Sequence, residues 1–334
     1  MNPDDAYARA GVSQRGADAA VAALLESLRR IDPGRPSRQV VGAGHYASVM
    51  RLDGRTGLAL STDGVGTKLL VAEHLGRWDT VGIDCVAMNV NDLICVGAEP
   101  IAMLDYVAVP QADSDVMREL GRGLRAGAER ARIEIPGGEL AQLGEIVTGL
   151  DLVGACFGLV ELDSIVDGSA IEPGDSVVGL PSSGLHSNGY TLARRALEGI
   201  GTDDDRLGRP LGDVLLEPTE IYVPPVVELL SSAVEVRGLA HITSGGLGNL
   251  LRLRSEVGYE IDAPLPAQPI FELIQERAHA TDEEMREVFN MGCGFCCVVR
   301  PQDEDAALEL LRGHYPGARR IGRATGDAGE LRHG

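Results

Sequence analysis

Lysine is almost missing from this chain: of thirty basic residues only Lys68 is lysine and the other twenty-nine are arginine, set against fifty acids. The resulting net charge of −20 repels phosphate backbones and anionic bilayers, which argues against nucleic-acid and membrane partners. No stretch approaches the roughly 18 uncharged apolar residues a spanning helix requires. The opening MNPDDAYARA has no apolar signal core, so a cytoplasmic location is expected. The six cysteines supply neither a disulfide framework nor a zinc site. Only Cys293 and Cys296 form a C-x-x-C, without a second pair or a nearby histidine, and GCGFCCVVR reads as a buried strand. No internal repeat is visible.

What is present fits a packed globule. Apolar residues make up 44% of 334, with a mean hydropathy of +0.01. At roughly 100–200 residues per domain the length suggests two domains. The turn-rich DGSAIEPGD places the boundary so that 1–168 and 169–334 are the two units. Periodicity predicts helices over 17–30, 67–75, 80–96 and 113–132, and strands over 46–52, 58–62, 99–109 and 150–161. In the second half, strands are expected at 176–180, 236–242, 259–262, 294–300 and near 320. Helices are expected at 189–198, 221–230, 270–289 and 303–312. The fold class is therefore α/β, in α+β layers.

Gly42, Gly44 and Ala47 spell G-x-G-x-x-A, with Asp63 where a ribose-binding acid would fall. Asp53, Gly54 and Gly57 leave no room for the crossover helix, so this is not a dinucleotide site. The loop VGAGHYAS keeps the backbone freedom to lie over a ligand.

Four segments carry chemistry. STDGVGTK joins an apolar strand to an apolar helix. Gly64 and Gly66 let backbone N–H groups approach a phosphate, and Asp63 is a hard ligand for Mg²⁺. Lys68 is a compact charge for a phosphoryl oxygen, flanked by Thr67. The plainer alternative is a tight turn capped by Asp63. In GIDCVAMNVNDLICVGAEP, the residues Asp84, Asn89, Asn91 and Asp92 interrupt a helix apolar nearly all round; they serve either a site or an internal polar network. GGELAQ, placed at the end of the strand IEIP, offers Glu139 as a further carboxylate. PSSGLHSNGY holds Ser183, Gly184, His186, Ser187 and Asn188 ahead of a helix, an anion pocket in which His186 is either an acid–base group or a structural hydrogen bonder. His241 and Thr243 in HITSGG repeat the theme of strand end, glycine pair and helix start.

Taken in order, YARAGV, TDGVGTK, GIDCVAMNVNDLICVGAEP, GGELAQ, SSGLHSNGY, EPTEIYV, HITSGGLGN and FNMGCGF resemble the phosphoribosylformylglycinamidine cyclo-ligases, or aminoimidazole ribonucleotide synthetases, over nearly the whole chain. The short Asp and Gly elements are shared with sibling ATP users such as selenophosphate synthetase and thiamine-phosphate kinase. A sibling synthetase and a catalytically silent nucleotide-binding subunit are the alternatives. The resemblance implies an N-terminal sheet that pairs with a second copy into a barrel, a C-terminal α/β domain, and a homodimer. It also implies ATP and Mg²⁺, a phosphorylated ribonucleotide substrate, and closure of an imidazole ring for purine synthesis.

On that pattern Asp63, Asp92 and Glu139 bind Mg²⁺–ATP with Asp84 in support, and Lys68 meets phosphate. Asp63, Lys68 and His186 are the catalytic candidates. Gly64, Gly66, Thr67, Asn89, Ser183, Gly184, Ser187, Asn188, His241 and Thr243 line the ligands. Here Leu140, Gln142 and Leu143 stand where the family pattern has Thr, Glu and Met, so position 142 brings no negative charge.

Overall fold

The computed structural model describes residues 14–29, 31–254 and 256–334. YARAGV lies outside them. Two six-stranded sheets divide the chain. The first has the order β1-β2-β3-β6-β4-β5, comprising β1 (Gln39–Val41), β2 (Ser48–Arg51), β3 (Thr56–Gly64), β4 (Glu99–Val109), β5 (Glu134–Gln142) and β6 (Asp151–Glu161). All its neighbours are antiparallel except β4 and β5. The second has the order β12-β9-β11-β7-β10-β8, from β7 (Ser176–Pro181), β8 (Val236–His241), β9 (Gly258–Ile261), β10 (Cys293–Val299), β11 (Arg319–Thr325) and β12 (Leu331–His333). The CGFCCVV strand is buried along its length, and its cysteines are free thiols.

The sequence pattern places most elements within a few residues. Asp113 caps the Ser114–Ala131 helix by accepting from the backbone N–H groups of Asp115 and Val116. The helices expected through 270–289 are two, Pro269–Ala278 and Asp282–Val288, the second opened by a Thr281–Glu284 capping box. The short β1 and β12 carry too little pattern to be seen in advance.

The helix Val81–Ile94 is the centre of the molecule. Every residue in it except Asp92 is buried. It packs on β3, β6 and β4 of the first sheet, on the Ser114–Ala131 helix, and on β8 and the Val223–Leu230 helix of the second half. Close approach to the sheet requires glycine at 154: a Cβ there would lie 2.5 Å from Asn89 Nδ2 and 2.9 Å from Met103 Sδ.

Candidate functional site

Strand alternation decides which acids can meet. In register across the first sheet, Asp63 on β3 stands beside Gly154 on β6, Asp105 on β4 and Gly138 on β5. Paired positions share a face, and this row faces the central helix, because Gly154 lies under Asn89. Asp63, Asp84 and Asp105 all act on the enclosed Cys85 thiol, whose pKa burial raises most.

Glu139 belongs to the next row, with Tyr106, Val153 and Gly64, so it points to the opposite face and is exposed. The expected grouping of Glu139 with Asp63 within one protomer is therefore corrected. GGELAQ is not a loop after a strand but the strand itself, paired with β4. The carboxylate that shares Asp63's face is Asp105, lying over Gly138, where a Cβ would come within 2.4 Å of Asp105 Oδ1. A lone acid inside the apolar run MLDYVAV was the available signal for it.

Asp63 is held in place by its backbone. Its N–H donates to Asn89 Oδ1 at 3.0 Å, and its carbonyl accepts from Asn89 Nδ2 at the same distance. Asn89 Nδ2 also donates to the Cys85 carbonyl, so this amide is engaged as a clamp on the strand end. Burial and the neighbouring Asp92 charge raise the Asp63 carboxyl to about 6. Asp92, the one open position on the central helix, takes a hydrogen bond at 2.9 Å from Nδ1 of buried His241. The other ring nitrogen of His241 lies 3.4 Å from Asn91 Nδ2, which fixes the tautomer with Nδ1 as donor. Two carboxylates close enough to raise a pKa, one of them oriented by a histidine, form a hard-oxygen pair that calls for a cation.

Among the described residues no group of three His, Cys, Asp or Glu side chains is placed to cage an ion. Mg²⁺ that keeps waters and phosphate oxygens needs only one or two carboxylates, so the Asp63–Asp92 pair fits it.

Lys68 and Asp84 lie elsewhere. Both side chains are fully buried, with Nζ 2.9 Å from Oδ1 and 2.8 Å from Oδ2. Nζ also donates to the His186 carbonyl at 3.1 Å and the Glu217 carbonyl at 2.6 Å, which uses its three protons. Asp84 Oδ1 accepts from Thr219 N and Oγ1, both at 2.7 Å. Burial lowers the Lys68 pKa, opposed by Asp84. Lys68 thus faces Asp84 and two carbonyls, and Asp84 faces Lys68 and Thr219, so the structure does not bring either side chain together with Asp63 and Asp92. A strand–helix turn with a single ammonium is short enough for that ammonium to reach inward, where carbonyls from the second half receive it. The STDGVGTK cradle is also slighter than expected: Gly66–Lys68 is one three-residue 3₁₀ turn before the Leu69–Leu75 helix, with Gly66 at φ 68°. Gly64 N donates to the Asp63 carboxylate, and Thr67 Oγ1 lies 3.3 Å from Thr191 Oγ1.

The 182–189 loop is tied inward too. Ser183 Oγ donates to the Pro218 carbonyl, Ser187 Oγ lies 3.1 Å from Thr219 Oγ1, and Ser244 Oγ donates to Asn188 Oδ1. The Gly184 carbonyl accepts from Asn290 Nδ2 in FNMGCGF. His186, at φ 60° and 1% exposed, accepts the Ser183 N–H on Nε2 and encloses Nδ1. Burial first, then His241 and Lys68, lower its pKa well below the ordinary value. In this structure the ring is buried and pins the loop through Ser183, with Nδ1 left unpartnered. Thr243 binds Asn249 Oδ1 through its N–H and hydroxyl. Asn91 joins the halves by accepting Tyr222 N–H and donating to the Glu220 carbonyl.

These two α/β halves on one buried helix, with an acid pair at a strand end, match a known class. The family model "AIR synthase related protein, N-terminal domain" matches residues 44–160, and its C-terminal counterpart matches 172–333. AaThiL complexed with AMPPCP and TMP has the same fold, with a TM-score of 0.67 at 17% identity, covering 97% of this chain and 94% of that one. So does hydrogenase maturation protein HypE in complex with ATP, at 0.63 and 19%, covering 85% and 83%.

Greater sequence likeness is found among curated proteins. Phosphoribosylformylglycinamidine cyclo-ligase of Methanothermobacter thermautotrophicus is 51% identical over 298 residues, 87% of this chain and 86% of its own. That of Pyrococcus furiosus is 48% identical over 312 residues, 92% of each. The chain belongs to the phosphoribosylformylglycinamidine cyclo-ligase family of AIR synthase related proteins.

Proposed function

We propose that this protein closes the imidazole ring of formylglycinamidine ribonucleotide, forming aminoimidazole ribonucleotide, ADP and phosphate in purine biosynthesis. The observation that carries this is near-full-length identity of 48–51% to relatives bearing the cyclo-ligase name. The formyl oxygen is a poor leaving group. Transfer of the ATP γ-phosphoryl to it makes an imidate-like ester. The ribosyl-bearing nitrogen then attacks the formyl carbon and loses its proton, and phosphate departs. Such a reaction depends on positioning and charge neutralisation more than on covalent help from the protein.

Asp63 and Asp92 would hold Mg²⁺, which neutralises charge on the triphosphate. Asn89 fixes the Asp63 backbone and His241 aims Asp92. Lys68 and Asp84 lock the 183–188 and 217–219 segments from behind.

A homodimer is part of the proposal. The open face of the first sheet carries Leu104 and Tyr106 at 41% and 40% exposure, with Val153, Ala155, Phe157 and Leu159 beside them. Such an apolar sheet face suits pairing with a second copy. Glu139 lies on it, so in the dimer it would meet the partner rather than its own Asp63. The two units are taken to divide near residue 168. No helix among the described residues is long and apolar enough to cross a membrane.

The test is purified protein with ATP, Mg²⁺ and formylglycinamidine ribonucleotide, followed for aminoimidazole ribonucleotide. Stoichiometric product and ADP are expected. ATP consumption only with another acceptor would identify a sibling synthetase, and no turnover with retained nucleotide binding would identify a silent subunit.

A further inference from the structure

The site presents acids to a substrate that is itself an anion, and its nearest ammonium, Lys68, is sealed away. The positive charge that would receive a phosphate must come from another residue. The segment around His45 and Tyr46 packs against the turn that follows HITSGG. Tyr46 Oη donates to the Asn249 carbonyl at 3.0 Å. The Arg252 guanidinium lies 4.3 Å over the Tyr46 ring, and its Nη2 donates to the His45 carbonyl at 3.2 Å. Stacking and one hydrogen bond thus hold the exposed Arg252 in a fixed pose, and its remaining N–H groups make no hydrogen bond or ion pair to the described residues.

Beside it, both ring nitrogens of His45 are closed off from water and have no protein partner. A polar ring left so in the free protein is costly unless a ligand completes it. Asp92 and Arg252 both lie near enough to act electrostatically on this ring, which joins the pair to the acid site. Burial, with help from Arg252, lowers the imidazole to about 4 against Asp167 and Asp92, so it is neutral and has one N–H to give.

We propose that Arg252 and His45 form a subsite for a phosphate group of a substrate, Arg252 supplying the charge through its free fork and His45 a single N–H. The assignment rests on the function proposed above. Two sources share this chemistry: the 5′-phosphate of the ribonucleotide and the phosphate tail of ATP.

Arg252→Ala, with Arg252→Lys beside it, separates them. The expected result is a rise of about tenfold or more in KM for formylglycinamidine ribonucleotide, with KM for ATP within twofold and partial recovery in the lysine variant. A rise confined to the ATP KM would support the subsite and assign it to the nucleotide tail. Unchanged KM values for both would overturn it.

His45→Phe keeps a ring and removes the unpaired nitrogens. The ligand-free variant should melt no lower than wild type while its affinity for ribose 5-phosphate, or for ADP in the second case, falls about fivefold or more in calorimetric titration. Unchanged affinity for both probes would remove His45 from the subsite. Should wild-type protein make no aminoimidazole ribonucleotide, the functional proposal fails, yet the ribose 5-phosphate and ADP titrations still decide whether a phosphate is held here.

Discussion

Two acid-containing pairs lie on or beside the same helix and have opposite characters. Asp84 and Lys68 are fully enclosed, and every proton of the ammonium is donated to a protein oxygen. Asp63 and Asp92 are like charges at the open end of the helix: burial and Asp92 raise the Asp63 carboxyl, and the His241 ring bound to Asp92 opposes the rise without cancelling it. A pair of opposite charges is already neutralised, whereas a repelling pair gains by taking a cation. The difference sets the two pairs apart although each takes one residue from STDGVGTK and one from the central helix, and it turns the chain's only lysine toward protein oxygens.

Removing the ammonium has the largest expected effect. Lys68→Met leaves the Asp84 carboxylate buried and uncompensated, and should cost about 3–5 kcal/mol in denaturant unfolding. The double variant Lys68→Met with Asp84→Leu should regain part of that stability and of ring closure, because the buried charge is gone while the Thr219 N–H and the His186 and Glu217 carbonyls are left without their partners. A stable but inactive double variant would return Lys68 to the phosphate.

Asp63→Asn should do the reverse. The fold melts at or above the wild-type temperature, because a like-charge repulsion is gone, while ring closure falls by about 100-fold or more.

A smaller effect follows from pH. The folded Asp63 carboxyl at about 6 lies above its ordinary 3.8, so the native state binds the extra proton. Its contribution to stability is present below 3.8 and is lost as pH rises through 6. Mg²⁺ competes with that proton, so Mg²⁺ affinity should drop about tenfold from pH 7 to pH 5, and less in Asp63→Asn, by calorimetry.

Much of this was legible from residue order. The apolar Val81–Ile94 helix with its polar interruptions identified the centre of the fold, and the CGFCCVV run was visibly a strand rather than a metal motif. Less legible was the use of each polar group. Asn89 and Asp84 look like ligands in a linear sequence, yet their partners, the Asp63 backbone and Thr219, depend on tertiary packing. Glu139 was misplaced because one residue of strand register turns a side chain to the other face. The glycines at 137 and 138 suggested a loop and so concealed that alternation.

Locating a divalent ion decides whether Asp63 and Asp92 act as its ligands. A crystal structure with Mn²⁺ and a non-hydrolysable ATP analogue, read by anomalous scattering, should show the ion at about 2.1 Å from carboxylate oxygens of Asp63 and Asp92, with the Lys68–Asp84 pair intact. An ion bound to Asp84, with Lys68 withdrawn onto a phosphate, would make the buried pair the catalytic one and overturn the assignment of Asp63 and Asp92.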